Sequence, residues 1–135
     1  MIIQQTGYPL AISKKLILIL NNEIELHSEV DTSSGCIFNF RDPGYSAESG
    51  GYHPVEIYID ENGRFQNLTD FAYVGGDGHY AELVKELNFD FSYGLFQHMG
   101  RNYPIAQGKG LFEIWQSNFC AYYQNKVFTV TVEEL

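Results

Sequence analysis

The residues that could do acid–base or metal chemistry are spread thinly along this sequence of 135 residues. Its four histidines are about 19 to 26 residues apart, and no two share the short spacing typical of a metal site. The densest local group is Asp77, His79 and Glu82, which could hold a cation or act as acid and base. The glycines around Asp77 are equally typical of a solvated turn. The spacing therefore predicts neither a bound metal nor another cofactor.

Two kinds of catalytic motif are missing from the sequence. The glycine-rich stretch 75–78 could form a backbone nest for an anion, but the Lys and the Ser or Thr of a P-loop do not follow it. Ser46 and Ser49 lie near His53, but no GxSxG elbow surrounds them. We therefore expect a non-enzymatic protein that binds a partner or ligand.

The aromatic content is more informative than the titratable residues. Ten Tyr, ten Phe and one Trp exceed what one core of this size requires. The tyrosines concentrate beside turns, where a ring with a polar tip suits a recognition surface. Alternatively, these rings cover the bases of loops and bond their hydroxyl groups locally. The candidate binding residues are Arg41, Tyr45, His53, Asp70, Tyr73, His79 and Tyr80.

These residues support two functions. In the first, a protein-binding module presents the tyrosines and the loop 41–53 to a protein partner, together with the glycine-rich turn 75–80. In the second, a small-molecule-binding protein or enzyme has a pocket near His53, Asp70 and His79. The two differ in shape, because a ligand site needs side chains that converge in a concave pocket.

Arg41 is the residue for which a recognition role and a structural role are hardest to separate. Its guanidinium could supply a planar group with several donors to a partner. In the structural alternative, Arg41 pairs with Asp42 or Glu48 and fastens the loop.

Two amphipathic helices are expected to flank the strands that carry these residues. Ser13 can cap a helix over Lys14–Leu26, and a second helix spans Gly110–Gln124 with Trp115 buried. Leu18 falls on the polar side of the first helix, which is one motive for expecting self-association. The predicted apolar face of the first helix consists of Leu16, Ile17, Leu20 and Ile24. That of the second is centred on Leu111, Trp115, Phe119 and Tyr122 and widened by Phe112 and Ile114, and Asn118 lies inside it and requires a partner.

Alternation of apolar and polar residues indicates strands between the two helices and one more after the second. The segment 81–87 could be either a short helix or a strand. Because hairpin-like turns join successive strands, the sequence predicts an α+β fold with a largely antiparallel twisted sheet and both helices packed on it. The predicted strands cover 36–41, 55–60, 64–74, 87–93 and 126–133.

Composition indicates one globular domain over residues 1–135 with a net charge of −9. This charge disfavours binding to nucleic acid and to anionic membranes. DNA mimicry is also disfavoured, because the longest acidic run is two residues. Two distant cysteines predict free thiols, and the apolar run 16–20 is too short for export or a membrane span. We therefore expect a cytoplasmic protein.

Several runs resemble a family of short, uncharacterised gammaproteobacterial proteins that is common in vibrios and catalogued as a domain of unknown function. The longest runs are 39–43, 45–48 and 50–56, which read NFRDP, YSAE and GGYHPVE. The match continues through Thr69-Asp70-Phe71, Tyr73-Val74-Gly75, Phe89-Asp90-Phe91, Trp115, Asn118-Phe119 and Tyr122-Tyr123.

The resemblance implies a fold but no established activity. Members of this family often lie on genomic islands, and one has a fold similar to the acidic mitochondrial matrix glycoprotein that binds complement. That fold is an antiparallel sheet flanked by N-terminal and C-terminal helices, although in this chain a further strand follows the second helix. Oligomerisation and binding of a protein partner are the interactions that the resemblance implies.

Overall fold

The computed structural model of the chain describes residues 1–75 and 81–135. The described residues form a seven-stranded sheet in the order β6-β5-β4-β3-β2-β1-β7, with two helices. A 3-10 helix, Ile105–Gly108, precedes the second α-helix. The elements are α1 (Lys14–Leu26), β1 (Gly35–Arg41), β2 (Val55–Asp60), β3 (Phe65–Val74), β4 (Glu82–Asp90), β5 (Leu95–His98), β6 (Arg101–Pro104), α2 (Lys109–Gln124) and β7 (Thr129–Glu134).

Every pair of neighbouring strands is antiparallel, which confirms the predicted α+β class and sheet type. Strands β1 to β6 follow one another as a meander. Strand β7 returns after α2 and pairs with β1, with Val132 opposite Phe38. Both helices contribute side chains to the same hydrophobic core as the sheet.

Helix α1 has the predicted bounds, and the Ser13 hydroxyl accepts a hydrogen bond from the Leu16 amide as its N-cap. Its buried face is wider than predicted, because Ile19 and Glu23 are buried while Ile17 and Ile24 are partly buried against the core. The reason is that Glu23 bonds the Tyr123 hydroxyl of α2, so a carboxylate can occupy the interface. Leu18 is 66% exposed, as its place on the polar side indicated.

Helix α2 also forms as predicted, and Trp115 is only 8% exposed. Its predicted face is confirmed at Trp115 and Phe119 and is wrong at Leu111 and Ile114, which are exposed. Phe112 is buried as predicted, whereas the burial of Gln116 was not expected. The Gln116 amide compensates for this burial by bonding the Ser13 amide and the Ala11 carbonyl, which ties the chain before α1 to α2.

The sequence missed the hairpin of β5 and β6. Met99 and Gly100 form its turn with φ of 51° and 82°, the left-handed pair of values that a two-residue hairpin favours. A methionine at the first of these positions gives no turn signal. The undecided segment 81–87 is part of β4 from Glu82 onward, and β4 ends at Asp90, before the predicted end.

A ladder of polar side chains crosses four strands on the face of the sheet away from the core. Thr69 Oγ1 donates to Asn88 Oδ1 at 3.0 Å, and Asn88 Nδ2 donates to Gln97 Oε1 at 2.8 Å. Gln97 Nε2 then donates to Asn102 Oδ1 at 3.0 Å. These bonds attach the short strands β5 and β6 to the sheet, although their sequence alone is a weak strand signal.

Candidate functional site

A β-bulge in β4 shapes the site. Asp70 pairs with Leu87 and the next residue, Phe71, pairs with Lys85, so Glu86 is an extra residue without a partner on β3. Bulges of this kind redirect a side chain relative to the normal alternation of a strand. Here the bulge lets the Glu86 carboxylate meet His53, which lies two residues before β2.

His53, Asp70 and Glu86 lie together in one cluster of titratable side chains. His53 Nδ1 lies 2.8 Å from Asp70 Oδ1 and 3.0 Å from Glu86 Oε2. The second oxygen of Asp70 accepts a 2.8 Å hydrogen bond from Trp115 Nε1. Asp70 is 9% exposed and needs these donors, because a buried carboxylate without partners is costly. We call His53, Asp70 and Glu86 the His-carboxylate cluster.

No Lys or Arg of the described residues balances the charges of the His-carboxylate cluster. Within residues 1–75 and 81–135, no Lys or Arg nitrogen lies within 4.0 Å of the Asp70 or Glu86 carboxylate. The His53 imidazole is therefore the only ion-pair partner that either carboxylate has in this part of the chain.

A concave pocket of about 320 Å³ adjoins the cluster and contains His53 and Asp70 in its wall. The loop before β2, helix α2 and the segment before β7 form the remaining wall, which is rich in aromatic rings. Tyr52 from the loop lies against Tyr122 from α2, with ring centroids 4.7 Å apart. The pocket is lined by Gly51, Tyr52, His53, Val55, Asp70, Trp115, Asn118, Phe119, Tyr122 and Phe128.

Asp42 fastens the loop 41–53. Its carboxylate accepts hydrogen bonds from the amides of Gly44 at 2.9 Å and Tyr52 at 3.0 Å. Arg41 is exposed and has no ion pair with Asp42, Glu48 or any other described residue. The structural alternative in which Arg41 fastens the loop is therefore wrong.

Tyr45 and Tyr73 pack beside the His-carboxylate cluster. The Tyr45 hydroxyl accepts a hydrogen bond from the Tyr73 amide at 3.0 Å. The Tyr45 ring centroid is 5.2 Å from that of Tyr73 and 5.4 Å from that of His53. Tyr45 thus makes local contacts, as in the alternative to surface recognition, while Tyr73 is 38% exposed.

The cysteines do not contribute a nucleophile to this site. Cys36 and Cys120 are free and buried. Burial raises the pKa of the Cys36 thiol to about 11 and also raises the pKa of Cys120. Both therefore stay protonated near neutral pH, and a protonated thiol is a poor nucleophile.

Four of the seven predicted site residues lie together: Tyr45, His53, Asp70 and Tyr73. Arg41 does not line the pocket. His79 and Tyr80 lie outside the described residues, as does Asp77 of the proposed local acid–base group. The third member of that group, Glu82, is exposed on β4.

Sequence reasoning missed Glu86, and it assigned Trp115, Asn118 and Tyr122 only to the helix face. Asp70 carried a usable signal, because it continues the core-facing series after Leu68 in β3 and a carboxylate there requires a partner. The bulge that redirects Glu86 has no comparable signature in the sequence.

The comparisons with known proteins agree with the predicted resemblance. Residues 14–133 match the family model described as "Protein of unknown function (DUF2787)", and the chain belongs to this family. The search of curated proteins found no match to the chain. No helix among the described residues is long and apolar enough to cross a membrane.

Two solved structures from Vibrio cholerae are similar to the chain. The hypothetical protein VC0508 from the VSP-II pathogenicity island is 36% identical, with a TM-score of 0.81 over 96% of this chain and 98% of that one. The conserved hypothetical protein VC1805 from pathogenicity island VPI-2 is 34% identical, with a TM-score of 0.79 over 94% and 98%. VC1805 is described as sharing structural homology with human P32, the matrix glycoprotein to which the sequence resemblance pointed.

Proposed function

We propose that this member of the DUF2787 family binds a ligand in the aromatic pocket beside Asp70. The observation that carries the proposal is that His53 and Asp70 converge in a concave pocket between the loop 41–53 and α2. Pockets of about 300 to 1,000 Å³ with aromatic walls and a few polar groups are typical of small-molecule sites.

The pocket favours a small ligand with a flat apolar part and a neutral or positive charge. Its volume of about 320 Å³ is near the lower end of that range, and aromatic side chains such as Tyr52 and Tyr122 line it and suit contact with a flat ring. Aromatic faces and the Asp70 carboxylate also attract cations. The net charge of −9 acts in the same direction and disfavours anionic ligands.

The polar groups in the wall suit binding better than catalysis. His53 Nδ1 and both oxygens of Asp70 already have partners inside the protein, so these atoms are held in place. Asn118 is exposed in the wall and has no side-chain hydrogen bond to another described residue. Its amide is the group that we expect to orient the ligand.

A thermal-shift screen of small aromatic and cationic compounds tests this proposal, followed by titration of each hit against the emission of Trp115. Trp115 is the single tryptophan of the chain and lines the pocket. We expect Tyr122→Ala to weaken binding of a hit by tenfold or more. Ile114→Ala is the matched control, because Ile114 is 62% exposed on the same helix and does not line the pocket.

Two results would reject the pocket as the ligand site. The first is a screen in which no compound shifts both the melting temperature and the Trp115 emission. The second is a hit whose affinity falls equally in Tyr122→Ala and Ile114→Ala.

A protein-binding module is the second candidate function. It is supported by exposed Arg41 at the base of a loop that Asp42 holds in one shape, and by Tyr52 and Tyr73, which are 39% and 38% exposed. A rigid loop with aromatic and arginine side chains is a common form of binding surface. Similarity of fold to P32 is not evidence for protein binding by this chain, because proteins of one fold have many different functions.

The loop hypothesis is tested with Arg41→Ala and Tyr73→Ala in a tagged pull-down from the native host. Loss of one reproducible partner at unchanged melting temperature supports a protein-binding loop, and retention of that partner in both variants rejects it.

Self-association remains a separate prediction, for which the exposed Leu18 and Leu26 of α1 offer an apolar surface. Light scattering at high protein concentration measures the mass in solution, and a strictly monomeric mass would reject self-association.

A further inference from the structure

We propose that the His-carboxylate cluster is a binding site for one divalent first-row transition metal ion, such as Zn²⁺ or Mn²⁺. His53, Asp70 and Glu86 each offer one ligand atom, and these atoms lie within 4.8 Å of one another. This site shares His53 and Asp70 with the wall of the pocket, whereas Glu86 does not line the pocket, and the metal is tested without any organic ligand.

The distances in the cluster fit a shared ion. Ligand atoms about 2.1 Å from a metal are roughly 3.0 Å apart in octahedral and 3.4 Å apart in tetrahedral geometry. His53 Nδ1 lies 2.8 Å from Asp70 Oδ1 and 3.0 Å from Glu86 Oε2. These two distances are therefore close to those between neighbouring ligands of one ion, and all three ligand atoms lie within 4.8 Å of one another.

The hydrogen bonding of the cluster leaves a role for a cation. Nδ1 carries at most one hydrogen, yet two carboxylates lie within hydrogen-bond distance of it. No Lys or Arg of the described residues neutralises Asp70 or Glu86 within 4.0 Å. An ion bound to deprotonated Nδ1 and both carboxylates would replace that single proton and balance the two negative charges.

Trp115 and the bulge hold the ligands in place. The indole Nε1–H of Trp115 donates to Asp70 Oδ2, which leaves Oδ1 directed at His53. Donors that bond a ligand without touching the metal orient metal-binding carboxylates in known sites. The bulge at Glu86 supplies the third ligand from a position that regular alternation would not give.

The donor set selects the class of ion. Imidazole nitrogen favours transition metals, whereas sites made only of oxygen atoms suit Mg²⁺ and Ca²⁺. The proposal departs from the expectation of no metal, which rested on local spacing along the chain. In the fold, three separate elements supply the ligands, so local spacing has no bearing on this site.

The test uses the full chain, with any affinity tag removed, after dialysis against a chelator. ZnCl₂, MnCl₂ and MgCl₂ are titrated separately by calorimetry and by the emission of Trp115, whose indole bonds a proposed ligand. We expect one equivalent of Zn²⁺ or Mn²⁺ to bind, to change the emission, and to bind more tightly than Mg²⁺. Glu86→Gln should weaken binding by tenfold or more.

Glu82→Gln is the matched control, since Glu82 is an exposed carboxylate on the same strand and outside the cluster. His53→Gln is a second ligand variant, and circular dichroism and melting curves establish that each variant folds. The proposal fails if the wild-type chain binds neither Zn²⁺ nor Mn²⁺ at one equivalent, or binds Mg²⁺ as tightly. It also fails if folded Glu86→Gln or His53→Gln retains wild-type affinity. None of these results affects the Tyr122→Ala test of the pocket.

Discussion

Trp115 Nε1 donates a 2.8 Å hydrogen bond to Asp70 Oδ2, and this bond joins α2 to the middle of β3. Both side chains are almost fully buried, at 8% and 9% exposure. Among the described residues, the buried Asp70 carboxylate therefore has two partners, Trp115 and His53. It also fixes the wall of the pocket, since both residues line it.

Trp115→Phe is expected to destabilise the chain by about 2–3 kcal/mol, because it removes a charge-assisted hydrogen bond and leaves Asp70 Oδ2 without a donor. Urea unfolding of the variant measures this cost. In a double-mutant cycle with Asp70→Asn, the two changes should be non-additive, since each removes the same charged bond. Additive effects would show that Trp115 stabilises the chain through its packing alone.

Tyr123 and Glu23 form a corresponding link between α2 and α1. The Tyr123 hydroxyl donates to Glu23 Oε2 and accepts from Asn22 Nδ2 at 2.7 Å. Tyr123→Phe should cost about 1–3 kcal/mol, because the Glu23 carboxylate, 4% exposed, loses that donor. Chemical denaturation at pH 7 checks this cost, and Tyr122→Phe, on the same helix, serves as the control.

The same bond predicts that the stability of the wild-type chain and that of Tyr123→Phe depend differently on pH in the alkaline range. Burial and the hydrogen bond to Glu23 raise the pKa of Tyr123. A group with a raised pKa in the folded state contributes its full stability below its unfolded pKa, here about 10, and loses it as pH rises through the folded pKa. The free energy of unfolding should therefore fall more steeply above about pH 10 in the wild-type chain than in Tyr123→Phe. Parallel curves would contradict the prediction.

The sequence predicted those elements whose local signals agree with their packing. Ser13 caps α1 where expected, and the alternation of β2 gives a strand with the predicted bounds. The buried faces of the helices were less predictable, because Glu23 and Gln116 are polar residues that satisfy their side chains across an interface. A hydrophobicity pattern assigns such residues to the surface.

The candidate site was predictable only in part for a related reason. His53 and Asp70 were named together, with His79, as residues of one pocket at the end of the sheet. Glu86 was not, because its role depends on a single extra residue in β4. Register is set by pairing between strands, and a one-residue bulge changes which side chains meet without changing the local composition.

Gly63 and Gly94 offer a comparison between two glycines with similar backbone angles. Their φ values are 77° and 67°, so alanine at either position should cost about 1–2 kcal/mol through left-handed strain. At Gly63, an added Cβ would also lie 1.9 Å from the Ile2 carbonyl oxygen, whereas at Gly94 no atom of the described residues lies within 4 Å. Thermal melting should show Gly63→Ala to be clearly less stable than Gly94→Ala, and equal losses would contradict this.

Asp42 is expected to control the order of the loop that forms one wall of the pocket. Its carboxylate accepts from the amides of Gly44 and Tyr52, so Asp42→Ala should increase hydrogen exchange at these two amides by about tenfold, the equivalent of roughly 1.4 kcal/mol. Arg41→Ala is the matched neighbour and should leave both rates unchanged, because Arg41 makes no ion pair with the described residues. Since Tyr52 packs against Tyr122, the Asp42 variant should also bind any pocket ligand more weakly. Equal exchange in the wild-type chain and Asp42→Ala, measured by NMR, would show that other contacts hold the loop.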